Sequence, residues 1–162
     1  MSYGQVTIDG VKYIERVQVF PMEVSVTVNG QIQTPRMVLP GVANFRLKGL
    51  TRTTINSTTH AVTAFPFKFR IGNSDGSIFY VNGGVGATLG AASPVGGSTD
   101  RVLDSLIFGN GQFPWPVPVP IFYGASSSIV CEFEDVTNAA TATPYTIYLG
   151  FHGAYLIPSS SS

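Results

Sequence analysis

Prolines stand at every second position of QFPWPVPVPIFYG, residues 112–124: Pro114, Pro116, Pro118 and Pro120. In an extended strand, successive N–H groups point to opposite edges. Each of these prolines therefore removes a donor from the same edge. Trp115, Val117, Val119 and Ile121 keep theirs, aimed at the other edge. Side chains alternate as well, so proline rings take one face and Trp, Val, Val and Ile the other. Such a segment pairs on one side and repels strands on the other, which protects a sheet edge from uncontrolled joining. A solvated polyproline linker is the competing reading, but the interleaved residues are large and apolar.

The rest of the chain follows the same period of two. VTIDGVKYI reads as a hairpin closed at Asp9-Gly10. MEVSVTVNGQIQT puts Met22, Val24, Val26 and Val28 on one face and turns at Asn29-Gly30. VANFRLKGL aligns Phe45 and Leu47, with Arg46 and Lys48 opposite. AFPFKFRIGNSDGSIFYV aligns Phe65, Phe67, Phe69 and Ile71, with Lys68 and Arg70 outward. SIVCEFE follows, and PYTIYLGFHGAYLI has the phase Tyr145, Ile147, Leu149, Phe151. Short strands between turn signals predict an all-β fold, a two-sheet antiparallel β-sandwich, with a jelly roll as its expected form. Two segments break the period. Residues 82–98 form a Gly-, Ala- and Ser-rich loop, and STDRVLDSLIFG predicts one short helix near 99–108. The 162 residues are read as a single domain, with an N-terminal hairpin or arm over about 1–20 and a short Ser-rich tail at 158–162.

Charge is scarce: 11% of residues, against roughly 25% in an ordinary soluble domain. Formal net charge is zero, which gives no general attraction to nucleic acid or to an anionic membrane. The surface is then built from Ser, Thr, Asn and Gly, or much of it is buried against partners. No apolar run approaches the ~20 residues of a spanning helix. MSYGQVTIDG lacks a basic region followed by an apolar core, so no secretory signal is expected. Cys131 is the only cysteine; in phase with Ile129 and Phe133, it reads as a buried, inert thiol. Synthesis in a reducing cytoplasm is expected.

Chemistry-bearing residues are few and scattered. NGGVGATLG has no following Lys-Ser/Thr and no strand–loop–helix frame, so it is not a phosphate loop. His60 lies in a polar loop and His152 in the last strand, without partners at motif spacing. Glu132 and Glu134 share a strand face, with Asp135 next. That pair can be the polar face of an amphipathic strand, a calcium site or an acid–base pair; the polar face is the simplest of the three. Asp100 and Asp104 flank Arg101, with solvation or an ion pair as the default. An exposed aromatic platform for sugars would have to come from Phe20, Phe113, Trp115, Phe122 and Tyr123. Trp115 fits an interface, core packing or sugar stacking. Phe113, Trp115, Pro116 and Pro118 are the candidate interface residues. No catalytic residue, cofactor or metal is expected.

VSVTVNGQI, ANFRLKGL, FPFKFRIGNSDGSIFYVNG, LIFGNGQFPWPVPVPIFYGASSSIVCEFEDVT and YTIYLGFHGAYLI occur in that order over roughly residues 22–157. This series resembles small structural proteins of tailed bacteriophage virions. In that pattern Asn44 stands where an acid is usual, and the turn at Asn73-Ser74-Asp75-Gly76 only approximates the family's. The resemblance implies a jelly-roll-like sandwich and a non-enzymatic virion structural protein. The first role it implies is a capsid decoration or cement protein that stabilises the head shell. Its expected partners are copies of itself, most readily as a homotrimer, and the major capsid protein or other virion proteins. A neck, collar or baseplate component is the alternative, and a carbohydrate-binding β-sandwich module the alternative of another class.

Overall fold

A computed structural model describes residues 3–75, 102–104, 115–137 and 144–159. Among the described residues, ten strands follow in chain order. They are β1 (Tyr3–Ile8), β2 (Val11–Val26), β3 (Ile32–Gln33), β4 (Arg36–Val38) and β5 (Asn44–Asn56), then β6 (Phe67–Asn73), β7 (Val102–Leu103), β8 (Trp115–Tyr123), β9 (Ser128–Asp135) and β10 (Tyr145–Pro158). One sheet runs β1-β2-β10-β5-β8; the other runs β3-β9-β6-β7, with β4 also on β9. Every pairing is antiparallel. Apart from β1, and counting β3 and β4 as one interrupted strand, each sheet is four strands in interleaved order. That is the double Greek key of a jelly roll.

The core lies between the sheets and follows the period of two. Met22, Val24 and Val26 face it from β2, Ile147, Leu149 and Phe151 from β10, and Phe45, Leu47 and Leu50 from β5. Phe67, Phe69 and Ile71 answer from β6, and Ile129, Cys131 and Phe133 from β9. Burial pushes the Cys131 thiol well above its ordinary value, as an inert core residue requires. The Asp9-Gly10 hairpin turn forms with both residues at positive φ, 50° and 81°, as a two-residue turn between twisted strands demands.

Four expectations change. The predicted helix does not begin where expected: Val102 and Leu103 pair as strand with Phe69 and Lys68. The other residues of 99–108, Asp104 apart, and the Gly-rich 82–98 lie outside the described residues. The hairpin arm and the Val-rich strand are one element, since β2 pairs with β10 without a break from Tyr13 to Val26. Pro21 is tolerated in it because β1 ends opposite Arg16, so Pro21 sits on an edge. Val28 lies beyond β2 and is exposed. Arg70 does not face solvent: both faces of β6 and β9 are buried, and Arg70 is 1% exposed.

β5 carries a bulge that the sequence periodicity did not reveal. His152 stands opposite Gly49 and Gly153 opposite Leu47, so Lys48 has no counterpart on β10. The extra residue resets the alternation, and Leu50 and Thr54 face inward after it. Lys48 turns outward and, with Arg46, meets Glu15 of β2 across β10.

Candidate functional site

β8 forms the far edge of the larger sheet and, among the described residues, pairs with β5 alone. Its two ends are in register: Trp115 and Pro116 oppose Leu50 and Gly49, while Ile121, Phe122 and Tyr123 oppose Leu47, Arg46 and Phe45. Between them, residues 117–120 face only the bulged Lys48. The edge strand is present, but the expected pairing through Val117 and Val119 is not: four residues of β8 stand against one of β5, so β8 itself leaves the ladder between Pro116 and Ile121. Val117, Ile121 and Tyr123 are buried and Pro116 is exposed, so proline and apolar faces separate as alternation requires. Pro118 lies in the unpaired stretch. Phe113 is outside the described residues.

The described members of the possible aromatic platform, Phe20, Phe122 and Tyr123, do not form one exposed face. Phe20 packs edge-on against Phe45 and Tyr155, with ring centroids 5.1 and 5.8 Å apart. Tyr123 is buried, and its hydroxyl donates across the sandwich to the Gly72 carbonyl at 3.4 Å. Of these, among the described side chains, Phe122 faces out, with the Arg46 guanidinium 5.8 Å from its ring centroid. The other exposed aromatic among the described residues is Tyr148. It lies six positions along β10 from Ala154, the residue opposite Arg46, or about 20 Å at strand rise.

The acidic residues are occupied. Arg70 and Glu132 stand directly opposite on β6 and β9, and Arg70 Nε donates to Glu132 Oε2 at 2.6 Å with both side chains 1% exposed. Lys68 stands opposite Glu134 in the same ladder. Glu132 and Glu134 thus belong to a cross-strand charge ladder, and Glu132 is buried in it rather than lying on the polar face of an amphipathic strand. Among the described residues, no three His, Cys, Asp or Glu groups gather as a metal site would need. His152 shares a 2.9 Å hydrogen bond with Thr51 Oγ1. His60 is exposed at the β5–β6 turn, where Asn56 Oδ1 accepts from Thr58 N and Thr59 N.

Two carboxylates named in the sequence only as neighbours of other charges, Asp104 and Asp135, tie the architecture together. Asp104 is buried and bridges the sheets, meeting Arg52 of β5 at 2.8 Å and accepting from Phe67 N of β6 at 3.4 Å. Asp135 ends β9 and accepts four bonds: from Gly30 N at 3.0 Å, Tyr145 OH at 2.8 Å, Thr137 N at 3.2 Å and Thr137 Oγ1 at 3.1 Å. Burial alone would raise its pKa. The backbone donor of Gly30, the Tyr145 hydroxyl and the two Thr137 donors outweigh burial and hold the carboxyl below its ordinary value. Tyr145 shifts the opposite way, through burial first and the neighbouring Asp135 second.

A depressed carboxyl stabilises the fold above the ordinary carboxylate range. That contribution is lost as pH falls through this range and below it. Asp135→Asn should therefore melt below the parent at neutral pH, with the gap closing towards about pH 2. A gap that stays constant across the titration contradicts the assignment. Asp135→Ala leaves the buried Tyr145 hydroxyl and the half-buried Thr137 donors unmatched and should cost about 2 kcal/mol by denaturant unfolding.

No protein-family model matches the chain, and no curated protein matches it. Among solved structures, the chain is similar to one described as desmodium yellow mottle tymovirus. Identity is 10%, coverage is 91% of this chain and 92% of that one, and the TM-score is 0.25.

Proposed function

We propose that this chain is a non-enzymatic structural protein of a virion, and within that class a decoration or cement protein that stabilises the head shell. The observation that carries the reading is the jelly-roll strand order with one long edge broken by prolines. The inference from fold to role is an analogy at the level of architecture, since jelly rolls also serve lectins and cupins. The rest of the molecule favours the structural member of that set. Among the described residues, the buried acids are held in ion pairs and turn bonds, and the exposed aromatics Phe122 and Tyr148 lie too far apart to stack one sugar. Its scarce charge suits a surface made to be covered by other proteins, because interface cores are depleted of charge.

The mechanism is mechanical. Many weak contacts, repeated by symmetry among copies of this chain and a shell protein, favour the assembled state by mass action. A homotrimer on the major capsid protein is the arrangement proposed for those copies, with synthesis in the host cytoplasm. A neck, collar or baseplate position uses the same surfaces in fewer copies. The test is to add the purified chain to shells that lack it. Saturable binding and a higher melting temperature of the shell are expected; absence of binding to head and tail fractions alike overturns the reading.

The prolines provide a second test. Pro116→Thr with Pro118→Thr restores two backbone donors in a residue suited to strands. The fold should survive, and the free protein should aggregate faster by light scattering. Unchanged scattering at matched stability contradicts a protective role for these prolines.

A further inference from the structure

The edges of this sandwich are guarded unequally. The smaller sheet ends in β7, two residues long, and in β3 and β4, which are two and three residues long. Pro35 separates β3 from β4 and gives its carbonyl to Cys131 N. The larger sheet ends on one side in proline-rich β8. On the other side, the part of β2 beyond β1 carries Pro21. Short length and proline are the usual protections of an edge. β1 alone has neither. Tyr3–Ile8, YGQVTI, is six residues long, contains no proline and no charge, and pairs among the described residues with β2 only. Gly4, Gln5 and Thr7 are exposed.

We propose that β1 is a self-association edge, pairing antiparallel with β1 of a second copy across a two-fold axis to make one continuous sheet. The axis must be perpendicular to the sheet, so each face continues as the same face. Residues directly opposite then share a parity, and two central registers are open: Gln5 on Gln5 of the second copy, or Val6 on Val6. Charge selects the second. Arg16 lies beside Tyr3 in the β1–β2 ladder. With Val6 on the axis, Ile8 of the second copy stands opposite Gly4, and the exposed Asp9 of its turn follows at the strand end beside Tyr3 and the exposed Arg16, which brings an anion near a cation. The two-fold repeats this match. On the outward parity, Ile8 meets Gly4 and Val6 meets Val6, with no like charges opposed. The exposed Val17 and Val19 of β2 lie on that same outward face, two strands from the axis.

This inference goes beyond the proposed homotrimer and does not rest on it: the two-fold pairing is a separate contact that can be read on the free protein. Val6→Cys in the full chain should form a covalent dimer on mild oxidation, faster than Ser74→Cys at the opposite sheet and with Cys131 buried away from the reaction. Val6→Lys opposes two cations on the axis, and Arg16→Glu opposes an anion to Asp9. Each should weaken dimerisation at least about tenfold in sedimentation equilibrium, less so in high salt. Circular dichroism and melting confirm that each variant is folded. A folded Val6→Lys with unchanged self-association overturns the proposal, as does a parent that stays monomeric at its highest concentration. A trimer insensitive to Val6→Lys also overturns the edge pairing while leaving the virion reading intact, since a three-fold contact uses a different surface.

Discussion

Arg70→Ala is expected to destabilise the protein by about 3–5 kcal/mol, because it strands the Glu132 carboxylate where water cannot reach it. At this chain length that lowers the melting temperature by on the order of 10 °C. The mirror change, Glu132→Ala, strands the guanidinium and should cost a similar amount. The informative variant is Arg70→Met with Glu132→Leu. It removes both charges and refills the space with apolar side chains, so it should be more stable than either single variant. Denaturant unfolding of all four proteins gives the coupling. Additive losses would mean that the pair does not act as a unit.

Gly153→Ala is expected to be nearly as damaging for a different reason. Gly153 sits in central strand β10 beside the bulge of β5, where the two backbones approach closely. A Cβ there would lie 2.3 Å from the Arg46 carbonyl oxygen and 2.5 Å from the Phe45 ring. The carbonyl is held in the sheet and the ring in the core, so neither can yield cheaply. A loss of about 3 kcal/mol or more follows, as for an overpacked core. Gly150→Ala is the control. Its Cβ meets the Thr51 hydroxyl and the His152 ring, which are side-chain ends that can rotate away. If both glycines tolerate alanine equally, the close approach at the bulge is not real.

The sequence was legible wherever a strand kept one face buried. Met22, Val24 and Val26 of β2, and Tyr145, Ile147, Leu149 and Phe151 of β10, keep the period and are found on the core face. It was illegible where a second rule overrode the first. After Lys48 the bulge shifts the phase by one, so GLTRTTIN shows no continuation of Phe45 and Leu47 although β5 runs on to Asn56. The signal was present in Gly49, since a glycine inside a strand pattern marks a bulge. Arg70 and Glu132 read as a solvated face because charge normally means exposure. Their cross-strand pairing cannot be seen until the register of β6 on β9 is known. Asp135 failed for a similar reason: its donors lie at positions 30, 137 and 145, and only the fold brings them together. The proline edge was the most transferable reading, because a missing N–H is covalent. Its interruption lies in β8 itself, where four residues, two of them prolines, stand against Lys48 alone.

The central claim is that a jelly roll with guarded edges serves as a structural component of a particle. Quantitative mass spectrometry of gradient-purified virions from the source of this chain, followed by imaging of where it sits, tests that claim most directly. The account predicts co-purification in a fixed ratio to the shell protein, with many copies ordered on the outer surface by the symmetry of the head. Removal of the chain should leave particles that open at a lower temperature. Complete absence from purified particles, with the chain recovered only as a free protein, would contradict it.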